Sequence, residues 1–150
     1  MDPCSIPSLC LAVAGLCYSA YTQLAQFIEA SRIAHSTWRG FNDEIKALEN
    51  VLHSISSSLE KSDLLRRYAP RHENQHWLNV GASVNDCERS IKAFLMLLES
   101  IKVSEELHSL IAKPLQQFRL NQSTQTMTVI RNQIVSYKDT LSVSLQMISV

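Results

Sequence analysis

The sequence predicts an all-α protein, an antiparallel bundle of four long helices plus a short kinked helix, and three observations lead there. Apolar residues recur at alternating gaps of three and four along four separate stretches, which puts them on one face of a helix. Only three glycines and four prolines occur in 150 residues, too few for the turns of a sandwich or barrel. No sustained period-two alternation marks a strand. With 45% hydrophobic and 19% charged residues the chain has a folding composition, and its length suits a single domain over residues 1–150.

The first segment is expected from about Pro7 to Ile33. Pro7 fits near a helix start, where its missing N–H has no partner to lose, and Asp2 or Ser5 can cap the first turn. The second opens after Ser36-Thr37 and ends near Ser62, with Phe41, Ile45, Leu48, Leu52, Ile55 and Leu59 forming one stripe. Residues 63–75 (DLLRRYAPRHENQ) are the most polar connection and are broken at Pro70. The third segment carries Trp77, Val80, Val84, Cys87, Ile91, Phe94, Leu98 and Ile101. Ser104 with Glu105 and Glu106 reads as a fresh N-cap and acidic first turn. A short helix holding Leu107, Leu110 and Ile111 would follow, kinked or ended by Pro114. The β-branched, polar run at 121–126 (NQSTQT) weakens the expectation of helix there. The last helix carries Ile130, Ile134, Tyr137, Leu141, Leu145 and Ile148.

Fourteen basic and fourteen acidic residues cancel to a formal charge of zero, which argues against a dedicated nucleic-acid binder. The four cysteines (Cys4, Cys10, Cys17, Cys87) include no CxxC pair and no disulfide framework. They read as small buried hydrophobes in a reducing compartment; the alternative is S-palmitoylation near the N-terminus. Met1-Asp2-Pro3 offers neither a basic region for a secretory signal nor a glycine for myristoylation, so a cytoplasmic chain is expected, peripheral to a membrane if it meets one.

Residues that could carry chemistry are sparse, and a non-enzyme with no cofactor and no small-molecule substrate is expected. His72-Glu73-Asn74-Gln75-His76 spells HExxH, the zinc-hydrolase pattern of two histidines one helical turn apart with a glutamate to polarise water. It lies in the polar connection and not within an apolar helix, and no further motif supplies a third ligand, so a solvated helix start explains it better. His35, His53 and His108 fall on separate segments, without a nucleophile partner. Three lone glycines cannot build a phosphate-binding loop. Acid pairs such as Asp43-Glu44 and Glu105-Glu106 sit at helix starts, where the macrodipole accounts for them.

Two features point to contact surfaces. Lys61, Arg66, Arg67 and Arg71 form a local basic cluster, either a docking patch for an anionic membrane surface or acidic partner, or a solvated loop. From Pro3 to Ile28 there is no charged residue. As a helix that stretch would cross the hydrocarbon core of a bilayer, although Ser19, Thr22, Gln23 and Gln26 interrupt it. It is therefore either the central, most buried helix of the bundle or a helix packed at rest and released to insert. Leu9, Leu11, Val13, Leu16 and Tyr18 are its candidate membrane or partner residues.

The opening MDPCSIPSLCLAVAGLCYSAYTQL, the third segment LNVGASVNDCERSIKAFLMLLESI and the closing YKDTLSVSLQMI together resemble one family, in order and at its spacing. It is the fungal N-terminal domain of STAND (NOD-like receptor) proteins, also named after an azaphilone pigment cluster protein and related to HeLo-like helical domains. Cys4 where leucine is usual, Pro7 in the first turn, and Pro114 with the 121–126 run depart from the pattern. The resemblance implies a helical bundle set ahead of a nucleotide-binding or repeat region. Its implied role is signalling output in self/non-self recognition or regulated cell death, with related domains acting at membranes and no catalytic residues to carry over. A protein partner, self-association or a membrane surface is then the expected target, with a passive adaptor as the alternative.

Overall fold

The computed structural model describes residues 5–31, 36–61, 74–106 and 113–148, with side chains described for 5–29, 38–59, 77–101 and 123–147. These residues form four helices and no strand: α1 (Ile6–Ser31), α2 (Ser36–Lys61), α3 (Asn74–Glu106) and α4 (Lys113–Ile148). The all-α class is as expected, and the helix starts follow local chemistry. Pro7 occupies the first turn of α1 and Pro114 the first turn of α4, where proline gives up no helical hydrogen bond.

Three local expectations need correction. Ser104, Glu105 and Glu106 are the last turn of α3 and do not cap a new helix, because the chain is still helical when it reaches them. Pro114 lies in the first turn of α4, so at that point it opens a long helix and does not break one; Leu107, Leu110 and Ile111, where the short helix was expected, lie outside the described residues. The 121–126 run is inside α4. Its propensity is overridden by burial of Met127 and Ile130 on the same helix. Further along, hydroxyls that compete with a helix are turned back onto it: Thr128, Thr140, Ser142 and Ser144 each donate to the carbonyl four residues earlier, at 2.8–3.2 Å.

The helices form a ring in which α1 packs on α2 and α3, and α4 packs on α2 and α3. Within a hairpin the direction reverses. Ser56 near the end of α2 donates to the Pro7 carbonyl at the start of α1 (3.3 Å), while Phe27 and Trp38 meet at the other end. Between hairpins it does not: Gly40 lies against Arg131, and Glu44 pairs with Lys138 at 2.6 Å, so position rises together along α2 and α4. Only six residues separate α3 from α4, and Ser90 reaches Gln133 across their seam (3.1 Å), so these two run antiparallel. It follows that α1 and α3 are parallel. The antiparallel description thus holds for α1/α2 and α3/α4, while the two hairpins meet with parallel helices, since α2 and α3 stand on a diagonal of the ring.

The stripes read from the sequence line the interior wherever their side chains are described. Phe41, Ile45, Leu48, Leu52, Ile55 and Leu59 of α2 and Val84, Cys87, Ile91, Phe94 and Leu98 of α3 are buried. Phe41 and Phe94 join edge to face across the diagonal, with centroids 4.6 Å apart. Cys10, Cys17 and Cys87 are buried free thiols, as the packing reading expected; Cys4 lies outside the described residues. Burial pushes the Cys10 thiol up to about 12, and burial with the nearby Glu49 carboxylate does the same to Cys17. Cys87 is raised further, again by burial first and then by its neighbours Cys17, Asp86 and Cys10.

Two outcomes test this core. Phe94→Ala should lower the unfolding free energy by about 3–5 kcal/mol in urea titration, whereas Met96→Ala, two residues away and 74% exposed, should change it by less than about 0.5 kcal/mol. In a Cys4→Ser background, a thiol reagent at pH 8 should modify none of the three buried cysteines within the time that unfolded protein reacts fully. Raised thiol values in the folded state mean that stability is intact below the ordinary cysteine range and falls as pH rises above about 8.5.

Candidate functional site

The uncharged first segment is a corner helix of the ring and not its centre, so one side of it faces outward. Ile6, Cys10, Val13, Cys17, Ala20, Leu24 and Phe27 turn inward, and Ser8, Leu11, Ala12, Gly15 and Tyr18 turn out. The five residues singled out from the sequence therefore separate. Val13 is core, Leu9 and Leu16 are half-buried against it, and Leu11 (45% exposed) and Tyr18 (58%) stand on the surface. Only the last two present apolar area outward without disturbing the interior.

Gly15 lies in the middle of this face, and a Cβ added there would meet nothing within 4 Å. A mid-helix glycine costs roughly 0.5–1 kcal/mol relative to alanine. No packing among the described residues accounts for it. With no side chain at Gly15 and only a methyl at Ala12, the backbone between Leu11 and Tyr18 is open to close approach by another body. Periodicity alone did not reveal this feature, because it reports the buried stripe and is silent about the opposite side.

A polar cluster borders the face where α1 meets α2. The Tyr21 hydroxyl donates to the Glu49 carboxylate, and partial burial together with that carboxylate pushes the phenol above its usual value. His53 Nε2 lies 3.5 Å from the same Glu49, one turn on. Lys46 sits over the Tyr21 ring at 5.4 Å, and Tyr18 meets that ring edge-on at 5.3 Å. These contacts tie the outer edge of α1 to α2, and their charged members all belong to α2; α1 carries its own exposed charge only at Glu29, near its end. His53, a scattered histidine in the sequence, is part of this clasp.

The basic cluster and the HExxH string fall largely beyond view. Lys61 is the last residue of α2, and Arg66, Arg67 and Arg71 lie outside the described residues. His72 and Glu73 also lie outside them, while Asn74, Gln75 and His76 open α3, so the string straddles a helix start. Among the described residues no three His, Cys, Asp or Glu side chains come together to hold a metal ion. Between Ile6 and Glu29, α1 is long and apolar enough to cross a bilayer by length and composition, a test that the core helix of a soluble protein also passes.

No curated protein and no solved structure gives a significant match to the chain. The family model described as the N-terminal region of pigment biosynthesis cluster protein PigL matches residues 1–150, and the chain accordingly belongs to the PigL N-terminal family.

Proposed function

We propose that this is a non-catalytic signalling or effector domain that works by contact, with the outward face of α1 as its working surface. The observation that carries the reading is the side of α1 bearing Leu11, Gly15 and Tyr18: it is exposed, uncharged and bordered by a clasp that leaves it uncovered. Membership of an N-terminal domain family supports a module that passes a signal to or from a neighbouring region. The role proposed for it is output in fungal self/non-self recognition or regulated cell death. It would act in the cytoplasm, peripherally at a membrane surface, where Leu11 and Tyr18 enter the headgroup boundary as the apolar side of an interfacial helix does.

A second reading, a passive adaptor that binds a protein partner, is favoured by the small exposed residues Ala12 and Gly15. Close approach of another backbone needs small residues, whereas lipid does not. The two readings separate experimentally.

Co-sedimentation with anionic and neutral liposomes is the direct measurement. Leu11→Lys and Tyr18→Lys should each weaken vesicle binding by about tenfold or more while circular dichroism stays unchanged, because both side chains point away from the core. Leu16→Lys is a poorer probe, since Leu16 packs against the interior. No sedimentation of the wild type at any lipid charge would sink the membrane reading and leave the adaptor. Gly15→Ala should raise unfolding stability by about 1 kcal/mol. On the adaptor reading the same change weakens the partner complex; on the membrane reading vesicle binding is retained.

A further inference from the structure

The corner diagonally opposite α1 carries a second uncharged surface. On α4, Val129, Gln133, Ser136, Thr140, Val143 and Met147 are all exposed and follow one another at gaps of four, three, four, three and four. That is the spacing of a helix–helix seam, the same that the buried stripes use inside the bundle. Val129, Val143 and Met147 are 58%, 57% and 60% exposed, which is far from core. Among the described residues no helix covers them.

The charges of α4 explain why the stripe is neutral. Between Gln125 and Met147 the helix has three charged residues, and both cations turn towards α2: Lys138 pairs with Glu44, and Arg131 lies against Gly40. Asp139 alone is charged on the outer side, at the edge of the stripe. The outward faces of α2 and α3 differ, with Arg39, Asp43, Lys46, Arg89, Lys92 and Glu99 exposed.

We infer that the α4 stripe is a self-association surface and that its occupant is α4 of a second copy of this chain. Neutral meets neutral when the stripe faces itself, so no buried charge needs a partner. Its polar members suit like-for-like contact, since amides and hydroxyls both donate and accept. Gln133 Oε1 already accepts from Ser90, which holds the amide in place with its N–H groups available. Thr140 donates back to the Ser136 carbonyl, so its hydroxyl is satisfied when covered. A lipid surface would find three polar side chains at the centre of the stripe and no cation on it.

Size sets the strength. A strip about 27 Å long and about 18 Å wide in accessible surface gives about 500 Å² per copy, hence about 1,000 Å² for the pair. That is the low end of specific interfaces, so the dimer is weak and reversible and forms at high local concentration. This inference goes beyond the contact reading of α1. It uses the opposite corner and leaves both α1 faces of a dimer uncovered.

Sedimentation velocity on the purified domain over a concentration series provides the test. The weight-average mass should climb from one chain towards two, and Val129→Glu/Val143→Glu should hold it at one chain with an unchanged circular dichroism spectrum. Met96→Glu, on α3 and more exposed than Val129, Val143 or Met147, should leave the dimer constant within twofold. A wild type that stays monomeric throughout overturns the inference, as does a dimer that survives the double substitution. A monomeric wild type whose vesicle binding is lost on Val143→Glu would give the stripe to lipid instead.

Discussion

Phe41 and Phe94 meet edge to face across the diagonal of the ring, and much of the architecture follows from that contact. It joins the two hairpins through helices that are not ring neighbours. With α2 and α3 on a diagonal, their hairpins must lie side by side with parallel seams. Parallel neighbours gain nothing from opposed helix dipoles, so the seams need other ties. Lys138 and Glu44, each about four-fifths shielded and 2.6 Å apart, supply one between α2 and α4. Such a pair, still reached by solvent, contributes modestly and fixes the relative slide of the two helices more than it stabilises them. The buried cysteines serve the other parallel seam: Cys10 and Cys17 of α1 and Cys87 of α3 are small enough for the two helices to approach closely.

The same arrangement sorts the surface by corner. Each helix buries one stripe and leaves one side outward, so four outward faces alternate around the ring in the order α1, α2, α4, α3. The exposed charged side chains gather on α2 and α3, and the two faces poorest in charge, with Glu29 on α1 and Asp139 on α4, occupy opposite corners. Charged flanks between two neutral faces keep them from merging into one continuous apolar belt, which would invite nonspecific association. They also allow the proposed α1 contact and the inferred α4 pairing to operate together, because covering one corner does not cover the other.

Much of the fold was legible because a stripe at gaps of three and four has one physical explanation. Phe41 through Leu59 and Trp77 through Ile101 were read as buried faces, and they are buried. The failures share a cause as well. Ser104-Glu105-Glu106 carries the local chemistry of an N-cap, but an uninterrupted helix has no use for a cap, and continuity is decided by packing. The run at 121–126 has poor intrinsic propensity and stays helical beside buried Met127 and Ile130. Ring order was not legible, since nothing in a buried stripe names the helix that it will face. The candidate residues on α1 were chosen for being apolar, so core and surface were mixed: Val13 belongs to one and Leu11 to the other. The α4 stripe is not legible in the sequence, because serine, threonine and glutamine conceal a seam that only exposure separates from the buried stripe beside it.

The inward side of α1 bears on how the domain could act. Ile6, Val13, Leu24 and Phe27 are fully or almost fully buried, and at about 1.5–3 kcal/mol for each side chain their burial amounts to roughly 6–12 kcal/mol. Ejecting the whole helix would forfeit that sum, which is of the order of a domain's entire stability. A trigger would have to supply nearly all of it through differential binding. Contact through Leu11, Gly15 and Tyr18 has no such requirement, because those residues are outside already. The clasp of Tyr21, Glu49, His53 and Lys46 adds only surface-strength contacts to the seam. Its contribution is to set the rotation of α1, so that the uncharged side stays turned away from α2. On these magnitudes the proposed function belongs to the folded bundle, with α1 in place.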